Sequence, residues 1–205
     1  ALLAARQAND DPNLVLDDLQ KAAANVTGDA NITNSDALMI LNRTVGNIDK
    51  FNISDWVFLG YDVNVVDQNI AQDIPGLAAG DVNMSYVPGA VPKASILSNS
   101  DDVLAVKKTG SFDVPVKVAY DSEVGAFTLR LEYDAEILEF IEVKGQVSVL
   151  TNVENGVVHI AWADLTGGKK ALKLTEGAAL VNVSFKAINA LNEAQEIDFR
   201  LLSGS

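Results

Sequence analysis

The stretch Val124-Gly-Ala-Phe127-Thr-Leu129-Arg-Leu131-Glu-Tyr133-Asp134 decides the fold. Phe127, Leu129, Leu131 and Tyr133 alternate with Thr128, Arg130, Glu132 and Asp134. A period of two sends successive side chains to opposite faces of an extended chain, so one face meets a core and the other meets water. The same period recurs on both sides. Val114, Val116 and Val118 alternate with Pro115, Lys117 and Ala119, and Val158, Ile160 and Trp162 with His159, Ala161 and Ala163. Val181, Val183 and Phe185 alternate with Asn182, Ser184 and Lys186, and Ile197, Phe199 and Leu201 close the series. About eight or nine short strands separated by turn residues predict an antiparallel β-sandwich over residues 96–205.

Upstream the pattern changes. Asn25-Val-Thr27-Gly-Asp29-Ala-Asn31-Ile-Thr33-Asn-Ser-Asp36 places oxygen-bearing side chains at loop positions 1, 3, 5, 9 and 12, and the apolar run Ala37-Leu-Met-Ile-Leu41 follows at once. Calcium is a hard cation that takes six to eight oxygens, and a helix-flanked loop of this spacing can turn them inward. Asn25, Thr27, Asp29, Asn31, Thr33 and Asp36 are the candidate metal ligands, and calcium in a structural role is the ion they imply. The loop is imperfect. Asn25, Ala30 and Asp36 stand where such loops usually carry Asp, Gly and Glu. Ala30 is expected to take a turn conformation better suited to Gly. The same residues also make an Asn/Asp/Thr-rich turn that would cap the helix at Ala37.

Helices are expected over residues 1–9, 14–23 and 36–45, with a short one near 53–59. Asp36 would cap the third, and Ser54 or Asp55 the fourth. Leu14, Leu16 and Leu19 would pack against Leu38, Ile40 and Leu41. Tyr61 to Asp67 reads as an irregular loop or short strand, and Gly80-Asp-Val-Asn-Met-Ser-Tyr86 as an Asx-turn rather than half a metal site. Pro88 to Ser100 has the punctuation of a join between modules. The division is then 1–50, a helical module with one loop; 51–95, an irregular connecting segment; and 96–205, the sandwich. The chain opens on Ala1 rather than Met, and Ala1-Leu-Leu-Ala-Ala echoes Ala37-Leu-Met-Ile-Leu. Both features are expected of a piece of a longer protein.

Composition bounds the function. The chain has 205 residues, no Cys and one His, with a net charge of −13. A thiolate metal site and disulfides are excluded. The acidic balance argues against nucleic-acid binding, which needs clustered Lys and Arg. No apolar run approaches the ~20 residues of a membrane span. Catalysis is poorly supported. His159 sits at an outward strand position, no Gly-x-Ser-x-Gly elbow occurs, and no spacing singles out a pair of carboxylates. Trp162 is in phase with core residues, and Trp56, beside Phe51 and Phe58, reads as a buried anchor.

Residues Asn25 to Leu38, with Ala1 to Ala8, resemble the second calcium loop and the helix after the first loop of a dockerin. Phe51 to Phe58 and Gly80 to Tyr86 look like a segment that follows dockerin repeats in large secreted proteins of Bacteroidetes-type bacteria. Val114 to Val116, Val124 to Asp134, Gly156 to Asp164 and Leu180 to Phe185 resemble a cohesin, a jelly-roll-like sandwich. The resemblance implies an α+β two-module chain: a small helical dockerin-like module, then an antiparallel cohesin-like β-sandwich. It further implies a non-enzymatic extracellular or cell-surface protein for adhesion, scaffolding or assembly with other dockerin- or cohesin-type modules. The alternative is a carbohydrate-binding accessory module of a secreted glycoside hydrolase, with a glycan as partner.

Overall fold

A computed structural model of the chain describes residues 1–60, 71–86, 110–189, 191 and 197–202. The sequence expectations for Tyr61 to Asp67 and for Pro88 to Ser100 lie outside these residues. The chain is α+β and divides into two compact units. The first comprises Ala1–Arg43, Ile48–Ala90 and Asp164–Lys169; the second comprises Thr44–Asn47, Val91–Ala163 and Lys170–Ser205.

The first unit holds helices α1 (Leu2–Ala8) and α2 (Asp18–Ala24), most of α3 (Asn34–Val45), and a two-stranded antiparallel sheet of β1 (Trp56–Phe58) and β2 (Gly76–Ala78). Its core is Ala4, Ala5, Leu16, Ala24, Val26, Ala37, Ile40, Phe51 and Val82. The alanines carry little bulk, so the elements that bear them can approach closely. Helix α2 starts at Asp18, later than expected. Asp17 accepts from the Gln20 backbone N–H at 2.7 Å, while the Gln20 side chain accepts from the Asp17 N–H at 3.0 Å. This reciprocal capping box sets the boundary and leaves Leu14 outside the helix. Gln20 Nε2 also donates to the Val82 carbonyl at 2.9 Å, which ties α2 to the turn after β2.

Further expectations for this unit fail. Residues 53–59 form no helix; Trp56-Val-Phe58 is strand β1, as its β-favouring side chains permit once Gly76–Ala78 pairs with it. Leu38 is exposed, whereas Leu16 and Ile40 are buried in the core. Gly80 to Tyr86 is a turn, but not the Asx-turn expected: the Asp81 carbonyl accepts the Met84 N–H at 3.1 Å, and the Asp81 side chain reaches four and five residues on rather than two. The Asp81 carboxylate accepts the Ser85 N–H at 3.0 Å and the Tyr86 N–H at 3.1 Å.

The second unit is the sandwich. Among the described residues it holds nine strands: β3 (Ser111–Lys117), β4 (Ser122–Val124), β5 (Ala126–Glu132), β6 (Leu138–Gly145), β7 (Leu150–Glu154), β8 (Val157–Ala163), β9 (Leu172–Leu174), β10 (Ala179–Ala187) and β11 (Arg200–Leu201). One antiparallel sheet has the order β3-β10-β6 and another β11-β5-β8-β7, while β4 pairs with β9. Val114, Val116, Leu129, Leu131, Val158, Ile160, Val181, Val183 and Phe185 form one core, so the alternating residues of both sheets face inward together. Phe185 is its centre, with ring centroids of Tyr133 at 4.9 Å, Phe199 at 5.1 Å, Phe140 at 6.2 Å and Phe112 at 6.3 Å. These tilted and edge-on rings add to the burial of the apolar area itself. Trp162 packs against this core beside Phe127, as its phase predicts.

Candidate functional site

The loop between α2 and α3 brings together four of its six candidate ligands. Asp36 is fully buried in the first turn of α3. One of its oxygens accepts the Thr27 N–H at 2.9 Å and the Thr27 hydroxyl at 2.8 Å. The other accepts the Thr33 N–H at 2.8 Å and the Thr33 hydroxyl at 3.2 Å. Thr33 in turn accepts the Ser35 N–H at 3.2 Å. Thr33, not Asp36, is therefore the residue that caps α3; Asp36 answers it from the third helical position as the return arm of a capping box. The helix accordingly begins at Asn34 rather than residue 36.

Asn25 is fixed by its two ends. Its Oδ1 accepts the Gly28 N–H at 3.1 Å, and its Nδ2 donates to the Asp29 carbonyl at 2.6 Å. Asp29 and Asn31 lie outside the cluster; both are exposed, and Asp29 accepts the Asn31 N–H at 2.9 Å. The left-handed turn falls on Gly28, at φ +76°, and not on Ala30. Glycine takes that conformation without a side-chain penalty, which spares Ala30 the strain expected of it.

An ionised carboxylate offers about four acceptor positions. On Asp36 all four are used within the loop. Asn25 spends its oxygen on Gly28, and Asp29 faces solvent. As arranged, these donors do not suit a calcium ion, which would draw six to eight oxygens toward one point. Among the described residues, no group of three or more His, Asp or Glu side chains is placed to hold a metal ion.

The sandwich carries its polar groups on its outer faces. On β3-β10-β6 the buried Ser184 hydroxyl donates to Asp113 at 2.5 Å, and Lys144 lies 3.1 Å from Glu142 and 3.9 Å from Asp113. On the other sheet His159 pairs in register with Arg130 and with Asn152. Half-burial lowers the His159 pKa below the ordinary imidazole value, and the neighbouring Arg130 charge lowers it further against a smaller opposite effect of Glu154. The shift favours the neutral imidazole, which lies between cationic Arg130 and uncharged Asn152 in the sheet.

Sequence reasoning missed an aromatic group in the first unit. Trp56 is 45% exposed, Phe58 61% and Tyr86 57%, and Trp56 meets Tyr86 edge-on at 6.3 Å. Trp56 is therefore not the buried anchor expected. Phe51 fills that role, under the Arg43 guanidinium at 4.8 Å. The period-two spacing of Trp56 and Phe58 was the available signal, but it is only three residues long. No described helix is long and apolar enough to cross a membrane.

Antiparallel sheets around one aromatic-rich core define the second unit as a β-sandwich module. Residues 98–200 match the model of the Cohesin domain, and through that half of its length the chain belongs to the cohesin-domain family. A cohesin is a non-catalytic protein-interaction domain, and this one leaves the first unit unassigned. Among solved structures, the seventh ScaB type I cohesin from Pseudobacteroides cellulosolvens is similar at 18% identity, over 49% of this chain and 70% of that one, with a TM-score of 0.41. The sixth cohesin from scaffoldin B of Acetivibrio cellulolyticus, solved in complex with a mutant Cel5 dockerin, is similar at 18% identity, over 47% of this chain and 74% of that one, with a TM-score of 0.42. Similarity at this level bears on neither partner nor activity. No curated protein matches.

Proposed function

We propose that the chain is a non-enzymatic, extracellular modular protein for protein–protein assembly, in which the cohesin sandwich is the binding unit and a dockerin-type module is the partner. The family match over residues 98–200 carries this reading. The net charge of −13 agrees with a protein partner rather than a nucleic acid. The first unit is then a dockerin-like spacer or second adhesive element of a surface or secreted scaffold, as in large proteins of Bacteroidetes-type bacteria. The reading is not routed through calcium, because the Asp36 carboxylate and the Asn25 side-chain oxygen already accept hydrogen bonds within the loop.

The test is co-elution of the intact chain with a panel of purified dockerin modules, alongside retention on insoluble polysaccharides. A stable complex with one of the modules supports the proposal. A second reading, carbohydrate binding, is favoured by the exposed Trp56, Phe58 and Tyr86, since aromatic faces stack on sugar rings. It predicts retention by a polysaccharide, weakened about tenfold by Trp56→Ala if stacking is worth roughly 1.4 kcal/mol. Retention without any complex would replace the assembly reading.

A further inference from the structure

We infer that the buried carboxylate of Asp36 stands in the structural place of a cation, so that the loop at residues 25–36 closes on its own side chains and needs no metal ion. Three observations carry this. Asp36 is wholly removed from solvent, and a buried carboxylate is tolerated only where hydrogen bonds replace its hydration. Four hydrogen bonds do so here, two from backbone N–H groups and two from hydroxyls, and bonds to an ionised acceptor are among the stronger ones.

The residue types fit the arrangement. At loop positions 3 and 9 a carboxylate could serve a cation but has no proton to give to another carboxylate. Thr27 and Thr33 each have one, and each also points its backbone N–H at the same oxygen as its hydroxyl. The two oxygens of Asp36 thereby clamp the beginning of the loop to its end. The position of Asp36 adds a third support. It lies in the first turn of α3, where the helix dipole and the uncompensated N–H groups favour a negative charge. Closing the loop and starting the helix are thus one event, controlled by one side chain. A loop of this kind keeps its shape at any calcium concentration, including in chelating surroundings where a metal-closed loop opens.

The experiment uses the full chain, stripped with EDTA and then held either in EDTA or in millimolar calcium chloride. Thermal melts are run with amide hydrogen exchange at Thr27 and Thr33. Coincident melts and equal protection in both buffers are expected. Asp36→Asn should lower protection of at least one of the two amides by about tenfold or more in either buffer, because its NH2 group opposes one pair of donors. Should that variant fail to fold, Thr27→Val and Thr33→Val each remove one hydroxyl donor and leave the backbone donor in place. They are expected to lose part of the protection, equally with and without calcium. A calcium-dependent rise in melting temperature or protection overturns the inference. So does full protection in Asp36→Asn, or a loss in the Thr variants confined to the calcium buffer.

Discussion

His159 illustrates how a single residue acquires its properties from its neighbours in the sheet. Its position in β8, opposite Arg130 on β5, keeps the imidazole half-buried beside a positive charge, and its folded pKa is depressed by both. In the unfolded chain it would titrate near the ordinary value of about 6.5. Between the two values the unfolded chain binds a proton that the sandwich refuses, so stability rises with pH there. The contribution is fully present above about pH 6.5 and is lost as pH falls through the folded value. His159→Gln should therefore show a smaller loss of stability between pH 8 and pH 5.5 than the wild type, in denaturant titrations at the two values. Equal losses would mean that His159 does not feel its surroundings. The outward position of this residue was legible from the alternation of Val158, Ile160 and Trp162. Its charged neighbours were not, because register across strands is not written in any one strand. The same holds for Thr27 and Thr33. Their spacing was visible as oxygens, but their action as proton donors toward Asp36 depends on how the loop folds.

Elements with strong periodicity were read correctly, and short ones were not. Strands β3, β5, β8 and β10 each run seven residues or more, long enough for alternation to stand out. The pairs β1–β2 and β4–β9 are built from three-residue strands whose partners are distant in sequence. In β1 the nearby Ser54 and Asp55 resembled a helix cap and pointed the reading the wrong way. Helix α2 was placed four residues early because Leu14 fits a helical stripe, while the Asp17–Gln20 box that starts the helix lies further on. That box has a measurable consequence. Asp17→Ala leaves the Gln20 N–H uncapped and should lower stability by about 1 kcal/mol. Thermal or denaturant melts of the variant check this; no change would show that the cap is dispensable to a helix already anchored through Gln20 to Val82.

At the scale of the whole molecule, the division into a helical unit and a sandwich follows from the switch in period from about 3.6 to two along the chain. The sandwich core was legible because most of its residues, such as Val181, Val183 and Phe185, recur every second position. The integration of residues 51–60 and 71–86 into the first unit was not, since those contacts come from single residues such as Phe51, Leu77 and Val82 rather than from a repeating pattern. The function rests on the sandwich as a protein-binding module. The most direct measurement is calorimetric titration of the intact chain with each member of a dockerin panel. Saturable one-to-one binding by at least one module is the predicted result. No heat with any module, together with saturable binding of a polysaccharide, would contradict it.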